Sequence, residues 1–542
     1  MTPRFKTATA LPSFVLQRGA QKLRAFRRDE SGVMAYPTIA FFLAMLAVGG
    51  IGVDLMRLER DRTVLQYTLD RAVLAAADLD QTQSPAVVVQ DYLNKAGLGE
   101  YYSAPIVESG LGYKRVQATI NATFDAHLIE FSGGTDMPIY ATSKAEESID
   151  ELEISLVLDV SGSMSSNSRL SNLKVAARDF IDTMVANTTD GKMSISVVPY
   201  ATQVSLPDEL IGQYNTVGTN DYSNCINFES SQFSSANLST TTTLDRTMHF
   251  TPWGSSSYDK RTYNPSRLVS SPVCDERSSR EILPLQKDAE TLKTFIQNLS
   301  AGGNTSIDIG MKWGTALLDP SARPAISAIS TGTGAIVPGD FTARPAEYSD
   351  ADTIKIIVLM TDGQNTSQYY VTDPHREGNS GVWYNSYYQS YSTYDSRYGG
   401  RYYFHYNNSW YDHPYGNGSG EAGTAVHLSY AELFARTSLK YLYKRVFDEW
   451  MNYYDARDEW YYDVWDSYGN STKNARTRSV CEAAKDQGIV VYTIGFEAPS
   501  DGVAVLRDCA STDAHYFDVD GLEIKDAFAS IATSIRQLRL TQ

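Results

Sequence analysis

Apolar positions along the chain change their rhythm several times, and each rhythm predicts a different kind of element. From Val33 to Leu55 they run almost without charge, enough for a membrane-spanning helix, which takes about 20 apolar residues. Beyond it Leu58, Leu65, Leu69 and Val73 recur at spacings of seven, four and four, and Ala75, Ala76 and Ala77 favour helix. This predicts a helical stalk over 56–97. Residues 98–150 switch to alternation, as in Val116 to Phe124, with a Gly133-Gly134 turn. A small β-rich module or linker is expected there.

From residue 151 the pattern becomes strand, helix, strand. Ile154 to Leu158, Met193 to Val198, Ile354 to Met360 and Ile489 to Ile494 are short apolar runs suited to buried parallel strands. Leu173, Ala177, Phe180 and Met184 mark one helix face. Another helix passes through Cys481, and Ile524, Phe528, Ile531, Ile535 and Leu538 mark a final one. The alternation predicts an α/β fold over 151–542, a doubly wound, mainly parallel sheet whose ligands bind at the carboxyl ends of its strands. Two stretches fall outside that rhythm, 204–283 and 365–475, and are read as insertions. The second holds 21 of the 36 tyrosines and five of the seven tryptophans. Tyr mixed with Ser, Gly and Asn is the composition of adaptable recognition surfaces. The same aromatics could equally form the core of a folded subdomain, as the helix-like stretch from Tyr430 to Trp465 suggests.

Charge sets the orientation and excludes one class of partner. Arg4, Lys6, Arg18, Lys22, Arg24, Arg27 and Arg28 precede the apolar run with no acid among residues 1–28. Basic residues collect on the cytoplasmic side, so 1–30 is expected inside, 31–55 in a bacterial inner membrane, and the rest periplasmic or surface-exposed. No small-residue cleavage site follows the run, which passes directly into Asp54-Leu55-Met56-Arg57. A net charge of -17 argues against nucleic acid as a partner. The four cysteines allow three pairings. Nearness in sequence favours Cys225 with Cys274 and Cys481 with Cys509, against the reading of four reduced, buried thiols.

Candidate chemistry stands where an α/β sheet would place it. Asp159-Val160-Ser161-Gly162-Ser163 follows the first strand, Thr361-Asp362-Gly363 follows the Ile354 strand, and Gly302-Gly303-Asn304-Thr305-Ser306 lies between them in a turn leading into a helix. Two carboxylates, three hydroxyls and flexible glycines suit a hard cation with oxygen ligands. Mg2+ fits because it tolerates few protein ligands and keeps waters, with Mn2+ or Ca2+ as alternatives. Ser306 and Thr291 are nearby alternatives to Thr305. His375, His405, His413 and His427 match no compact zinc motif.

The D-x-S-x-S run, Thr305 and the T-D-G at Asp362 resemble the metal-ion-dependent adhesion site of von Willebrand factor A domains. The resemblance implies that Ser161 and Ser163 ligate the ion directly, Thr305 directly or through water, and Asp159 and Asp362 largely through water. An open position would then accept an Asp or Glu of a protein partner. The segments Arg27 to Gly32, Gly50 to Asp54 and Leu65 to Ala72, with Cys481 to Cys509, are similar to TadG-like proteins of tight-adherence (Flp) pilus systems, which implies a role in pilus assembly or surface adhesion. Pseudopilins of such systems carry a glutamate at the fifth position after the processing glycine. Pro37 stands there after Gly32, so the anchor is expected to remain uncleaved. Two other readings, a metal-dependent hydrolase and a cytoplasmic adaptor of a motor ATPase, are disfavoured. No G-x-S-x-G, no H-E-x-x-H and no His beside the metal motifs supports the first, and the anchor and cysteines oppose the second.

Overall fold

The computed structural model describes Arg27 and residues 34–78, 81–110, 113–124, 129, 137–148, 151–218, 222–253, 268–350 and 352–538. The other basic N-terminal residues, Gly32, Val33 and the Gly133-Gly134 turn lie outside them. The chain divides into two compact units, residues 1–109 with 114–147, and residues 110–113 with 148–542.

In the smaller unit, α1 runs unbroken from Ala35 to Ala77, and its apolar first half is long enough to cross a membrane. There Phe41, Met45 and Val48 are exposed, whereas the later face of Leu65, Leu69 and Val73 is buried. That face packs with Val88, Val89 and Leu93 of α2 (Pro85–Lys95). It also meets Val116, Ala118 and Ile120 of β2 (Tyr113–Phe124) and Ile139 of β3 (Met137–Ser148). Strand β1 (Ile106–Gly110) completes a sheet in the order β1-β2-β3. One helix therefore serves two surroundings, and it runs unbroken through Gly49, Gly50 and Gly52 between them although glycine disfavours a helix interior.

The larger unit is mixed α/β. Its sheet is built from β4 (Glu151–Asp159), β5 (Met193–Tyr200), β6 (Leu283–Gln286), β7 (Thr353–Thr361), β8 (Val490–Phe496) and β9 (Tyr516–Val519), in the order β9-β8-β7-β4-β5-β6. Every neighbouring pair is parallel except β5 with β6. Successive side chains of a strand face opposite ways, and both sides are covered. Leu156 and Leu158 face α3 (Arg169–Ala186), α4 (Ala289–Asn298) and α8 (Ile524–Leu538). Val157 faces α5 (Ile307–Ala316), α6 (Asn470–Asp486) and α7 (Ser500–Cys509). Helix α5 is buried along its whole length. It can lie flat on the sheet because a Cβ at Gly314 would stand 2.4 Å from Val157 Cγ2 and one at Gly310 would stand 2.7 Å from the Tyr200 ring.

Both expected disulfides, Cys225–Cys274 and Cys481–Cys509, are present. The second staples α6 to α7. The Tyr-rich segment forms a five-stranded antiparallel sheet over 379–429. Its two ends meet in a strand pair, Gln368–Val371 against Trp465–Tyr468. The stretch from Tyr430 to Trp465 is several short helical pieces, not one helix. Ser438 and Asn452 each cap a new start within it. Met248, Phe250 and Val273 of the first insertion enter the same core as Val371, Phe434 and Phe447 of the second. The two insertions therefore share an aromatic core, while Ile226, Phe228, Phe233 and Leu244 of the first pack in the sheet core with Trp313 of α5.

Candidate metal site

Strands β4 and β7 are central neighbours in register from Glu151↔Thr353 to Leu158↔Met360, so their carboxyl ends deliver Asp159 and Asp362 to one place. Both residues are buried, at 0% and 2% exposure. Burial, and then the charge of Asp362, push the Asp159 carboxyl up to about 7. Thr361 Oγ1 donates to Asp159 Oδ2 at 2.6 Å and Ser161 N donates to Oδ1 at 2.7 Å, which oppose that rise and fix the carboxylate's orientation.

Hydroxyls connect the two acids. Ser161 Oγ lies 3.0 Å from Ser163 Oγ, and Ser163 Oγ donates to Asp362 Oδ1 at 2.7 Å. Ser161 is buried and Ser163 is exposed, so the serine pair leads from the buried acids to solvent. The third loop joins through Thr305. A Cβ on Gly363 would lie 3.7 Å from Thr305 Oγ1 and 4.0 Å from Ser163 Oγ. Gly162 N donates to Gly303 O at 2.9 Å, and Gly302 N donates to Val160 O at 2.9 Å, lacing the loop to the D-x-S-x-S turn. Gly303 has φ +83°, and a Cβ there would stand 2.8 Å from Thr202 Oγ1, so the close approach needs glycine. All five residues singled out in the sequence are thus brought together. The alternatives are engaged elsewhere: Ser306 Oγ donates to Thr202 O at 2.8 Å, and Thr291 Oγ1 donates to Asp288 Oδ2 at 2.7 Å in the cap of α4.

Three cations position the site and were missed in the sequence. Arg169, in the first turn of α3, donates to Asp362 Oδ2 at 2.9 Å and to Glu497 Oε2 at 2.8 Å. Lys473, wholly buried at the start of α6, donates to Thr305 O at 2.9 Å, Ser306 Oγ at 2.5 Å and Thr366 O at 2.7 Å. Burial lowers its ammonium to about 8 against the opposing pull of Asp308. Arg280 donates to Gly302 O at 3.0 Å and Val160 O at 3.3 Å. Only Arg169 had any sequence signal, its closeness to the D-x-S-x-S run.

The donor set fits a hard divalent cation. Two buried carboxylates repel each other, and the groups around them are hydroxyl oxygens, the ligands such ions prefer. Among the described residues no group of three or more His, Cys, Asp or Glu is placed to hold a metal, so an ion here would depend on Ser and Thr. The insertion histidines have separate surroundings. His405 contacts Glu449 and Thr393, His413 lies between Asp412 and Glu421, His427 stacks on Trp383, and His375 contacts Thr372.

Residues 32–79 match the Flp pilus-assembly TadE/G-like family. No curated protein matches the chain. Similar solved structures include the pilus adhesin SpaC of Lactobacillus rhamnosus GG, at 12% identity and TM-score 0.31, covering 80% of this chain and 33% of that one. The vWF domain of the type V pili tip protein Mfa5 of Porphyromonas gingivalis has 14% identity and TM-score 0.30, covering 71% and 95%. The adhesive tip pilin GBS104 of Group B Streptococcus agalactiae has 12% identity and TM-score 0.30, covering 71% and 100%. The chain thus spans about a third of the SpaC chain it matches. Scores and identities this low transfer neither fold nor function. All three of these structures are described as pilus adhesins or tip proteins.

Proposed function

We propose that this chain is a membrane-anchored binding component of Flp/Tad pilus assembly or surface adhesion. Its larger unit would be a doubly wound von Willebrand factor A-type domain that grips a partner through Mg2+. The observation that carries the reading is the joining of Asp159 and Asp362, both buried at adjacent strand ends, by the Ser161 and Ser163 hydroxyls with Thr305 alongside. When bound, the ion would offset the repulsion between the acids and offer an open position to an Asp or Glu of the partner protein. Ser161, Ser163 and Thr305 would hold it, with Asp159 and Asp362 acting largely through water. Exposed Ser163 marks the side from which a partner would approach. The helices covering both sheet faces support the fold assignment, and the 32–79 family match supports the pilus context. The apolar first half of α1 would be the anchor, with the N-terminus cytoplasmic and the larger unit exported.

Two measurements on the full chain in detergent test this. Thermal unfolding with Mg2+ in hundredfold excess over its Kd should show about 2.7 kcal/mol of added stability. That gain should disappear with EDTA and in the Ser161→Ala, Ser163→Ala double variant. Capture from cell envelopes should retain pilus-system or surface proteins only with the intact site and Mg2+. Identical retention by the double variant, or with EDTA, would show that the partner is held elsewhere.

A further inference from the structure

A cavity of about 650 Å³ opens beside the site at the carboxyl end of β5. One wall is Val160 and the Gly302-Gly303 turn, the backbone that carries the candidate ligands, and the facing wall is Trp253, Val273 and Arg277 of the first insertion. Three features give it a chemical preference. Its volume is in the range of small-ligand and peptide subsites, about 300 to 1,000 Å³. Its charged lining is Arg277 and Arg280 against Asp275 alone; Arg277 Nε and Arg280 Nη1 both pair with Asp275, at 2.8 and 3.2 Å, and two cations on one acid leave the wall net positive on a chain of net charge -17. Gln203 also lines it, and although this side chain is only 6% exposed, its Oε1 accepts no hydrogen bond from the described residues while Nε2 donates to Asn227 Oδ1 at 3.0 Å. A buried acceptor left alone costs about 1 to 3 kcal/mol unless something donates to it.

We propose that this cavity is a second subsite, for residues flanking the carboxylate of an acidic peptide segment of the protein partner. The inference rests on the metal-dependent binding proposed above and names the sequence that binding would select. An acidic side chain would approach Arg277, and a neighbouring aromatic hydroxyl or amide would lie against Trp253 and donate to Gln203 Oε1. Arg280 ties the two halves of the recognition surface together. It meets Asp275 at 3.2 Å while donating to Val160 O and Gly302 O.

The test is selection from a displayed library of nine-residue peptides, each with a central Asp and random flanks, on the full-length protein in detergent micelles. Wild type, Arg277→Ala, Trp253→Ala and the Ser161→Ala, Ser163→Ala variant are each used with Mg2+ and with EDTA. The expected result is Mg2+-dependent enrichment of peptides with acidic and tyrosine-rich flanks. Arg277→Ala should weaken the best peptide about tenfold, the value of one charge-assisted contact, while a peptide with alanine flanks binds wild type and variant alike. Arg277 is well exposed, so this variant keeps the fold if Trp253→Ala does not. Mg2+-dependent Asp peptides without flank preference, or flanks unchanged by Arg277→Ala, would overturn the subsite and leave the metal reading standing. Flank-selective binding that survives EDTA and the serine variant would support the cavity and overturn the metal reading. No enrichment under any condition would overturn both.

Discussion

The sheet of the larger unit and the aromatic subdomain centred on its second insertion bury their side chains in different proportions of aliphatic and aromatic residues. Around the sheet the core is mainly Ile, Leu and Val, with Ile356, Leu359 and Leu156 at 0% exposure, and rings such as Phe180 and Phe528 are set among them. In the subdomain rings pack on rings: Phe447 stacks on Trp460 at 3.8 Å, and Tyr443 meets Tyr461 at 5.3 Å. Tyr391 is buried with its hydroxyl 2.6 Å from Thr437 Oγ1. Tyr387 and Tyr406 remain 69% and 62% exposed. An aliphatic side chain has one suitable surrounding, whereas a tyrosine has a ring for the core and a hydroxyl for water. The sheet therefore fixes its strand ends, and with them the site. In the aromatic region composition alone leaves core and surface undistinguished.

The largest effect on the sheet side of this contrast is expected at the buried cation beneath the site loops. Lys473→Met removes two hydrogen bonds to the Thr305 loop and one to Thr366 O, and leaves buried Asp308 without its nearest ammonium, 3.8 Å away. Loss of about 3 to 5 kcal/mol is expected in urea unfolding. Phe180→Ala in the sheet core and Phe447→Ala in the aromatic core should each cost a similar amount, about 3 to 5 kcal/mol. Hydrogen exchange should separate them: Phe180→Ala lowers protection across the sheet, and Phe447→Ala mainly within 368–468. Uniform loss in both variants would make the two cores one cooperative unit. Replacing Cys225 and Cys274 by serine opens a loop of 49 residues and should cost about 4 kcal/mol at most on the chain-entropy model.

A pH effect of about 2 kcal/mol should also belong to the subdomain. Burial lowers His249 from 6.5 to about 4. The folded state then binds fewer protons than the unfolded chain between those values. The stabilisation is whole above pH 6.5 and is lost as pH falls toward 4, about 2 kcal/mol of it by pH 5. His249→Phe should flatten that part of the stability profile, and an unchanged profile would assign the slope to other groups.

Legibility in the sequence followed the same division. Ile154 to Leu158 and Ile354 to Met360 could be read as strands because buried parallel strands are continuously apolar. Asp159 and Asp362 were visible because they follow those runs directly. Strands β6 and β9 were too short to stand out, and β6 lies at a sheet edge. The five-stranded sheet of 379–429 was hidden because tyrosines occupy both faces and erase the period of two, as where Trp383 and Tyr384 are adjacent in one strand. The positioning cations were hidden for a different reason. Lys473 lies more than a hundred residues from the Thr305 loop it holds, and a single lysine in a polar stretch has the same look whether it faces water or a carbonyl.

The shared core of the two insertions also bears on the order of events as the chain is made. Met248, Phe250 and Val273 emerge well before Val371, Phe434 and Phe447, the residues that cover them. Until the second segment arrives these three side chains wait uncovered, whereas Ile226, Phe228 and Phe233 of the same insertion need only the sheet and Trp313 of α5. Synthesis that stalls between the two would leave a half-built, aggregation-prone species.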